Sequence, residues 1–427
     1  MTDQTEPAAV DPLGLVARSH PLRAALAYEM HLRQLPPVML PSRLLQVVTL
    51  LGEGAHESRA HVAALHAGRG LSLPDSSKHA MLPIDGFDLV WERHTEFASY
   101  TLLLPGPFDD PFDPAAFAPV HPLLDGIPGQ IIRATLVALL PRGMPADPDL
   151  IAASFKPLGL VSCDVAAGKA RIWSDFQLNA DGLGRLLIAD QGLEGDEPGQ
   201  LVQRIQELGN YRNMALLGLP LAQTLTPDVS RLEQRLAALT QQVAEPASDD
   251  DSLLDELTFL TAELARLLAS TRYRMAATRA YAQLSAERLE SLAIVPLPGW
   301  QTLADFTDRR LMPAVRTCES FSRRLEDLSQ RAAWTSSLLR TRIDTALARQ
   351  NRDLLASVDR RADLQLRLQQ TVEGLSVVAI SYYLVALLGY MLYAVPGVSH
   401  KLAVAIAVPF VVIAVALMLR PLKRPRS

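Results

Sequence analysis

The C-terminal segment decides the fold, and residues 371–420 read TVEGLSVVAISYYLVALLGYMLYAVPGVSHKLAVAIAVPFVVIAVALMLR. Val377–Val395 contains no charged residue, and a second uncharged run, Leu402–Leu419, follows a short Pro396-Gly397 turn. Because ~20 apolar helical residues cross a bilayer core about 30 Å thick, each run is long enough to span it once. The segment therefore predicts a C-terminal two-helix transmembrane hairpin, which returns the chain to the side that it left.

Basic residues indicate on which side of the membrane the bulk of the chain lies. The tail after the second run carries Arg420, Lys423 and Arg424. Since Lys and Arg in short loops stay on the cytoplasmic face, we expect the tail and residues 1–372 to be cytoplasmic. Met1–His20 has neither the basic region nor the apolar core of a signal peptide. The sequence thus predicts a two-pass protein of the inner (cytoplasmic) membrane, with the lipid bilayer as its first partner.

Several residues are candidates for contacts within or beside the membrane. A tyrosine deep in a span is expected to face a partner helix, another subunit or a polar path. A tyrosine near the end of a span is expected to lie at the membrane–water interface. A proline within a span removes one helical N–H and is expected to kink the helix. The candidates in the hairpin are Tyr382, Tyr383, Gly389, Tyr390, Pro396, Gly397 and Pro409. The juxtamembrane basic residues, which we expect to contact lipid headgroups, are Arg360, Arg361, Arg367, Arg420, Lys423 and Arg424.

The composition and the motif search argue against several function classes. The 427 residues carry a net charge of -5, which gives no reason to expect nucleic acid as a partner. Cys163 and Cys318 are too few for a disulfide framework and lack metal-ligand spacing. There is no P-loop, HExxH, GxSxG or CxxC motif and no GxGxxG after a strand. These absences argue against an enzyme without deciding the question.

Composition and periodicity divide the chain into four parts. Residues 1–18 are polar and aperiodic and predict a disordered N-terminus, and residues 19–195 predict an α+β domain with a mainly antiparallel sheet. Residues 196–372 predict a domain of long antiparallel helices, and residues 373–427 form the hairpin and its tail. The predicted strands are Leu45–Leu51, Phe87–Leu104, Ile131–Leu139, Leu160–Val165, Ala170–Phe176 and Leu186–Ala189.

Long helices dominate the second half of the chain. One is predicted to end at Gly218–Pro220, another covers Ser252–Ile294, and the last could continue from Pro313 to Val395, ~120 Å at 1.5 Å per residue. A helix this long needs a partner, either Ser252–Ile294 folded back on it or the same helix in another subunit. The sequence therefore favours a coiled coil, and the hypothesis we carry forward is a homo-oligomer. The apolar stripe of the last helix comprises Phe321, Leu325, Leu328, Ala332, Leu339, Ile343, Leu347, Leu354, Val358, Ala362 and Leu366.

One polar cluster is a candidate for chemistry, the run WERHTEF at Trp91–Phe97. If Phe87–Leu104 is a single strand, its alternation places Glu92, His94 and Glu96 on one face. Two carboxylates beside an imidazole could bind a divalent metal or carry out acid–base chemistry. The alternative is a half-exposed strand whose charged side chains pair with their neighbours. Both interpretations stay open at the level of the sequence.

The most specific run of the chain is Arg360–Tyr383, RRADLQLRLQQTVEGLSVVAISYY. Together with His20–Arg23, Trp91–Phe97 and Thr341–Asp344, it resembles a bacterial family of predicted membrane-anchored proteins, domain-of-unknown-function family 3422. The likeness extends over nearly the whole chain after residue 19. It implies a cytoplasmic domain, long helices and a membrane anchor in a bacterial inner membrane, and it implies no particular activity.

The order of these parts also resembles that of CorA-type magnesium channels, in which a cytoplasmic α/β domain and long helices precede two C-terminal spans. Those channels carry Gly-Met-Asn at the outer end of the first span, where this chain has Gly389-Tyr390-Met391. The leading hypothesis is a non-enzymatic, inner-membrane-anchored oligomeric scaffold or regulator that presents its cytoplasmic domain to a protein partner. The alternatives are a CorA-like divalent-cation channel or transporter, and a metal-dependent enzyme.

Overall fold

A computed structural model of the chain describes residues 18–23, 26–27, 35–52, 55–144, 146–245, 249–393 and 400–419. The disordered N-terminus predicted for residues 1–18 lies outside these ranges except for its last residue. The predicted turn residues Pro396 and Gly397 lie outside them as well. So do the basic tail residues Arg420, Lys423 and Arg424.

A mixed sheet forms the centre of an N-terminal α+β domain. Its strands are β1 (Ser42–Leu50), β2 (His79–Ile84), β3 (Phe87–Arg93), β4 (Phe97–Pro105), β5 (Gln130–Leu140), β6 (Val161–Val165), β7 (Ala170–Ser174), β8 (Gly184–Asp190) and β9 (Val295–Pro296). Their order across the sheet is β2-β3-β4-β1-β5-β8-β7-β6-β9. Neighbouring strands pair antiparallel except β5 and β8, which are parallel. The predicted α+β class is thus confirmed, and the β5–β8 pair makes the sheet mixed.

The prediction of one strand over Phe87–Leu104 is wrong, because the chain reverses within it. β3 and β4 form an antiparallel hairpin in which Trp91 lies opposite Tyr100. At the turn, the backbone N–H of His94 donates to the carbonyl oxygen of Phe97 over 2.8 Å. The prediction also missed β2 and β9, and β9 has only two residues, one of them a proline that cannot donate to a ladder.

Short helices lie between the strands along the sequence, and longer helices follow β8 as far as the end of the described chain. They are α1 (Ala55–Ala67), α2 (His121–Asp125), α3 (Pro148–Ser154), α4 (Glu197–Leu216), α5 (Gly218–Ala244), α6 (Asp250–Ser291), α7 (Leu303–Tyr393) and α8 (His400–Leu419). The first three pack on one face of the sheet, where Val62 and Leu123 are buried. The helix α4 packs on the other face through Val202 and Ile205. Because both faces are covered, several strands read as apolar runs instead of alternating.

The predicted end of a helix at Gly218–Pro220 is confirmed, since α4 ends at Leu216 and a separate helix, α5, begins at Gly218. Pro220 lies in its first turn, where the missing N–H has no helical partner to lose. A Cβ atom on Gly218 would lie 2.3 Å from Oγ1 of Thr278 on α6 and 3.3 Å from Sγ of Cys318 on α7. The glycine therefore opens α5 and allows three helices to approach one another.

Side-chain contacts link α5, α6 and α7 further along their length. Arg231 of α5 forms an ion pair with Glu263 of α6 (3.1 Å), and Arg324 of α7 forms one with Glu233 of α5 (2.7 Å). Together with the contacts at Gly218, these pairs place α6 antiparallel to α5 and α7.

The helix α7 runs over 91 residues and is about 137 Å long at 1.5 Å per residue. Thr302 caps its N-terminus, since its hydroxyl accepts from the N–H of Asp305 (3.0 Å) and donates to the Asp305 carboxylate (2.8 Å). The helix passes through Pro313 without ending. The prediction of one continuous final helix is confirmed.

By its contacts the chain divides into two compact units, Met1–Leu239 with Leu257–Ala332, and Thr240–Glu256 with Ala333–Ser427. In the second unit, Arg342 of α7 donates to the carbonyl of Val243 (2.9 Å) and pairs with Asp250 (2.9 Å). The predicted apolar stripe is buried at Leu339 and exposed from Leu347 onward.

One described helix, α7, is long and apolar enough to cross a membrane, by length and composition. In α8 the apolar stretch is shorter, Val404–Met418. Of the predicted membrane residues, Tyr382, Tyr383 and Tyr390 are exposed. Pro409 lies within α8. At the level of the structure, the chain therefore ends in a long apolar helix followed by a shorter one.

Candidate functional site

The residues predicted as a metal or acid–base site lie at the β3–β4 turn. Because the chain turns between them, Glu92, His94 and Glu96 do not form one face of a continuous strand. The Glu92 carboxylate lies 3.9 Å from Nε2 of His94. The His94 ring stacks on Phe97, with ring centroids 4.2 Å apart.

Glu96 points to a different partner, because its carboxylate forms an ion pair with the guanidinium of Arg274 on α6. Arg274 also donates to the carbonyl of Met214 at 3.5 Å, which ties the turn to α4 and α6. Within the ranges that the structure describes, no three His, Cys, Asp or Glu side chains converge to hold a metal ion. The geometry favours the alternative interpretation, in which these charged groups pair with neighbours.

The aromatic residue of the same run belongs to a buried hydrogen-bond network. Nε1 of Trp91 donates to the hydroxyl of Ser58 on α1 (2.9 Å), and this hydroxyl lies 2.8 Å from the Tyr100 hydroxyl. All three residues are fully buried. The network fixes α1 against β3 and β4, so this part of the motif has a structural role.

A different site lies where β5, β7, β8 and α4 meet, and we call it the arginine cleft. Three arginines line it, Arg133 of β5, Arg185 of β8 and Arg212 of α4. None of the described residues that line the cleft is acidic. Its volume is about 180 Å³, well above the ~10–15 Å³ that one water molecule needs.

Neutral groups hold Arg133 at the inner end of the cleft. Its Nη1 donates to Oε1 of Gln46 (2.6 Å) and to Oδ1 of Asn210 (2.9 Å). Gln46 in turn donates to the hydroxyl of Thr101 at 3.2 Å. A Cβ atom on Gly209 would lie 2.8 Å from the Arg133 guanidinium, so the absence of a side chain there makes room for it.

Arg212 is held by two aromatic rings. Its guanidinium carbon lies 4.6 Å from the ring centroid of Phe176 and 5.8 Å from that of Phe306, and the two rings stack at 4.4 Å. The Nη1 atom of Arg212 is buried and has no hydrogen-bond partner among the described residues. Phe176 has a φ of 51°, a backbone conformation that is costly for a side chain of this size.

The cleft concentrates positive charge. Burial, and after it the charge of Arg212, lowers the pKa of Arg133 to about 9. Burial also lowers the pKa of Arg212 to about 10. Both values lie above neutral pH, so both guanidinium groups are charged. Among the described residues no carboxylate pairs with either group, whereas Arg185 pairs with Asp181 at 3.2 Å. The cleft therefore holds two positive charges without a counter-charge.

The motif search missed this site, because its residues come from distant parts of the chain. One local signal was available. Arg133 interrupts the apolar strand QIIRATLVALL, and Gln46 interrupts SRLLQVVTL. Polar side chains at two such core positions indicate a buried polar network.

Three of the predicted juxtamembrane residues lie on one described helix. Arg360, Arg361 and Arg367 are exposed on α7. Gly389 and Tyr390 lie near its C-terminal end. The structure brings none of these residues into the arginine cleft, which belongs to the first compact unit.

These features define a class of protein: an α+β domain with a mixed sheet, followed by long helices, of which one has the length and apolar composition of a membrane span. The family model of the proteins of unknown function DUF3422 matches residues 18–425, and the chain belongs to this family. Comparisons with curated proteins and with solved structures gave no match.

Proposed function

We propose that the protein is a two-pass membrane-anchored scaffold or regulator, non-enzymatic and homo-oligomeric, that presents its N-terminal domain in the cytoplasm. The end of α7 and the helix α8 would form the transmembrane hairpin. The 20 residues of α8 extend about 30 Å, the thickness of a bilayer core. Ser381 of α7 and Val415 of α8 are buried although most of their neighbours are exposed, which supports packing between the two helices.

The observation that carries the proposal is the change of environment along α7. Its apolar stripe is buried as far as Leu339, whereas Leu347 and Leu354 are 54% and 55% exposed. Val358 and Leu366 are exposed as well. Because these side chains precede the apolar span, a bilayer does not cover them. A second copy of the same helix is the partner that their shared face fits.

Cysteine labelling tests the topology. The two native cysteines, Cys163 and Cys318, are buried. A labelling reagent should therefore react with a cysteine introduced at an exposed position and not with the native ones. We expect a membrane-impermeant maleimide to label Lys401→Cys from the periplasmic side of intact cells. Ala356→Cys on α7 should react only in inside-out vesicles. Labelling of both variants from one side would contradict the hairpin.

Oxidative cross-linking tests the oligomer. We expect Leu354→Cys to give a disulfide-linked dimer in membranes, because the exposed stripe would bring the two copies together there. The matched control is Ala356→Cys, two residues further on and about 200° around the helix at 3.6 residues per turn. Equal cross-linking of the two variants, or a monomer by light scattering in detergent, would refute the oligomer.

A further inference from the structure

The arginine cleft is a site to which no ligand is assigned. We propose that it binds a phosphate-type dianion, held between the guanidinium groups of Arg133 and Arg212. All the groups that carry this inference lie in the first compact unit. It therefore does not depend on how the protein meets the membrane or on its oligomeric state.

The charge balance of the cleft calls for an anion. Charged side chains are rarely withdrawn from water unless an opposite charge or a metal accompanies them. Among the described residues, Arg133 is held by the amide oxygens of Gln46 and Asn210, which are neutral acceptors. Arg212 is held by the faces of Phe176 and Phe306. These contacts orient both guanidinium groups and leave their charges unbalanced.

Unused hydrogen-bond donors also support an anion, and they belong to residues that line the cleft. The Nη1 atom of Arg212 and the Nε atom of Arg185 are buried and have no partner among the described residues. Buried donors in native proteins are nearly always satisfied, so an unsatisfied pair beside a cleft marks a missing acceptor. The missing acceptor is negatively charged, because neutral water would leave the two positive charges unbalanced.

The number and the shape of the donors favour a phosphate group. A phosphate monoester carries a charge of about −1.5 to −2 at pH 7, which matches the two unpaired arginines. The planar guanidinium fork suits two oxygens of one tetrahedral group. Thr135 and Asn213 also line the cleft and offer neutral donors. The volume of about 180 Å³ accommodates a phosphate group together with part of the molecule that carries it.

The experiment measures the melting temperature of the full-length protein in detergent by intrinsic fluorescence. Inorganic phosphate is titrated at constant ionic strength, with chloride as the replaced anion. A ligand that binds only the folded state stabilises it by RT ln(1 + [L]/Kd), so the melting temperature should rise with the logarithm of the phosphate concentration. A second titration uses dihexanoyl phosphatidic acid below its critical micelle concentration.

The two titrations separate the sources of the dianion. A response to inorganic phosphate supports a soluble ligand, and a response to the lipid alone assigns the site to a lipid headgroup. If neither ligand raises the melting temperature beyond the chloride series, the proposal is overturned.

Variants of Arg212 locate the binding. Arg212→Gln should weaken phosphate binding by roughly 10- to 100-fold, the loss of one charge-assisted hydrogen-bonding group. Arg212→Lys keeps the charge without the fork and should give an intermediate loss, which decides the matter if the Gln variant does not fold. The control is Arg309→Gln, which removes an exposed charge from α7 and should leave the affinity unchanged. Parent-like affinity in both Arg212 variants would overturn the assignment.

Discussion

Replacement of Arg212 by methionine should stabilise the protein in phosphate-free buffer. Burial lowers the pKa of Arg212 to about 10, well below the ordinary range for arginine. Each tenfold change in proton affinity is worth about 1.4 kcal/mol, so keeping this charge buried costs roughly 3 kcal/mol. Its contact with Phe176 returns about 1–2 kcal/mol. Methionine keeps an unbranched apolar side chain without the charge, and the expected net gain is about 1–2 kcal/mol.

The pH dependence has a definite sign. Above about pH 10 the unfolded chain binds more protons than the folded chain at Arg212, so the contribution of this group to stability rises with pH only in that alkaline range. At pH 6 and at pH 7.5 both states carry the proton. The destabilisation by Arg212 is then fully present, and the difference between variant and parent should be the same at both values.

Intrinsic fluorescence gives the melting temperatures of the parent and of Arg212→Met. A gain of about 1–2 kcal/mol should appear as a rise of roughly 2–5 °C for a unit of this size. With phosphate at saturating concentration the melting temperature of the parent should rise and that of the variant should not. The difference between their melting temperatures should then shrink or reverse. A variant that melts below the parent in phosphate-free buffer would show that Arg212 is a structural residue, and the reasoning would be refuted.

Two further substitutions test the packing that surrounds the cleft. Ser58→Ala removes the acceptor of the Trp91 N–H and the hydrogen-bond partner of the Tyr100 hydroxyl, and should lower the free energy of unfolding by about 2–4 kcal/mol in chemical denaturation. Gly218→Ala brings a Cβ atom to 2.3 Å from Oγ1 of Thr278 and should cost about 1–3 kcal/mol through overpacking. Thr278→Ala in the same chain removes the clash, so the double variant should recover most of the melting temperature, and no recovery would contradict this explanation.

The sequence predicted those parts of the fold that depend on periodicity. Apolar runs located most strands, and the unbroken pattern after Thr302 predicted the continuous α7. Tertiary contacts determined what the pattern did not. Gly218 and Pro220 read as a helix end because glycine and proline usually mark one. α4 does end before them, and what the pattern did not show is that the glycine also permits a close helix crossing and that the proline occupies the first turn of α5.

The turn at His94–Glu96 illustrates a second limit. The run has no glycine, proline or asparagine, which are the residues that usually indicate a turn. The alternation rule therefore placed Glu92 and Glu96 on one face. The hairpin is determined by partners far away in the sequence: Trp91 with Ser58, and Glu96 with Arg274. Glu96, which looked from its spacing like part of a ligand set, pairs with Arg274 instead.

The arginine cleft could not be predicted from sequence motifs for a related reason, and this reason indicates how such sites can be found. A phosphate-binding loop leaves a motif because consecutive backbone groups hold the ligand. A site made from β5, α4 and α7 has no characteristic residue spacing in the sequence, since Arg133, Arg212 and Phe306 are separated by long stretches of chain. What it does leave is a charge at a core position whose neighbours in the sequence are apolar. Such a charge is costly unless something balances it. Where the fold supplies only neutral partners, as around Arg133, the balancing charge must come from outside the chain, and its identity is the most direct route to the function of this family.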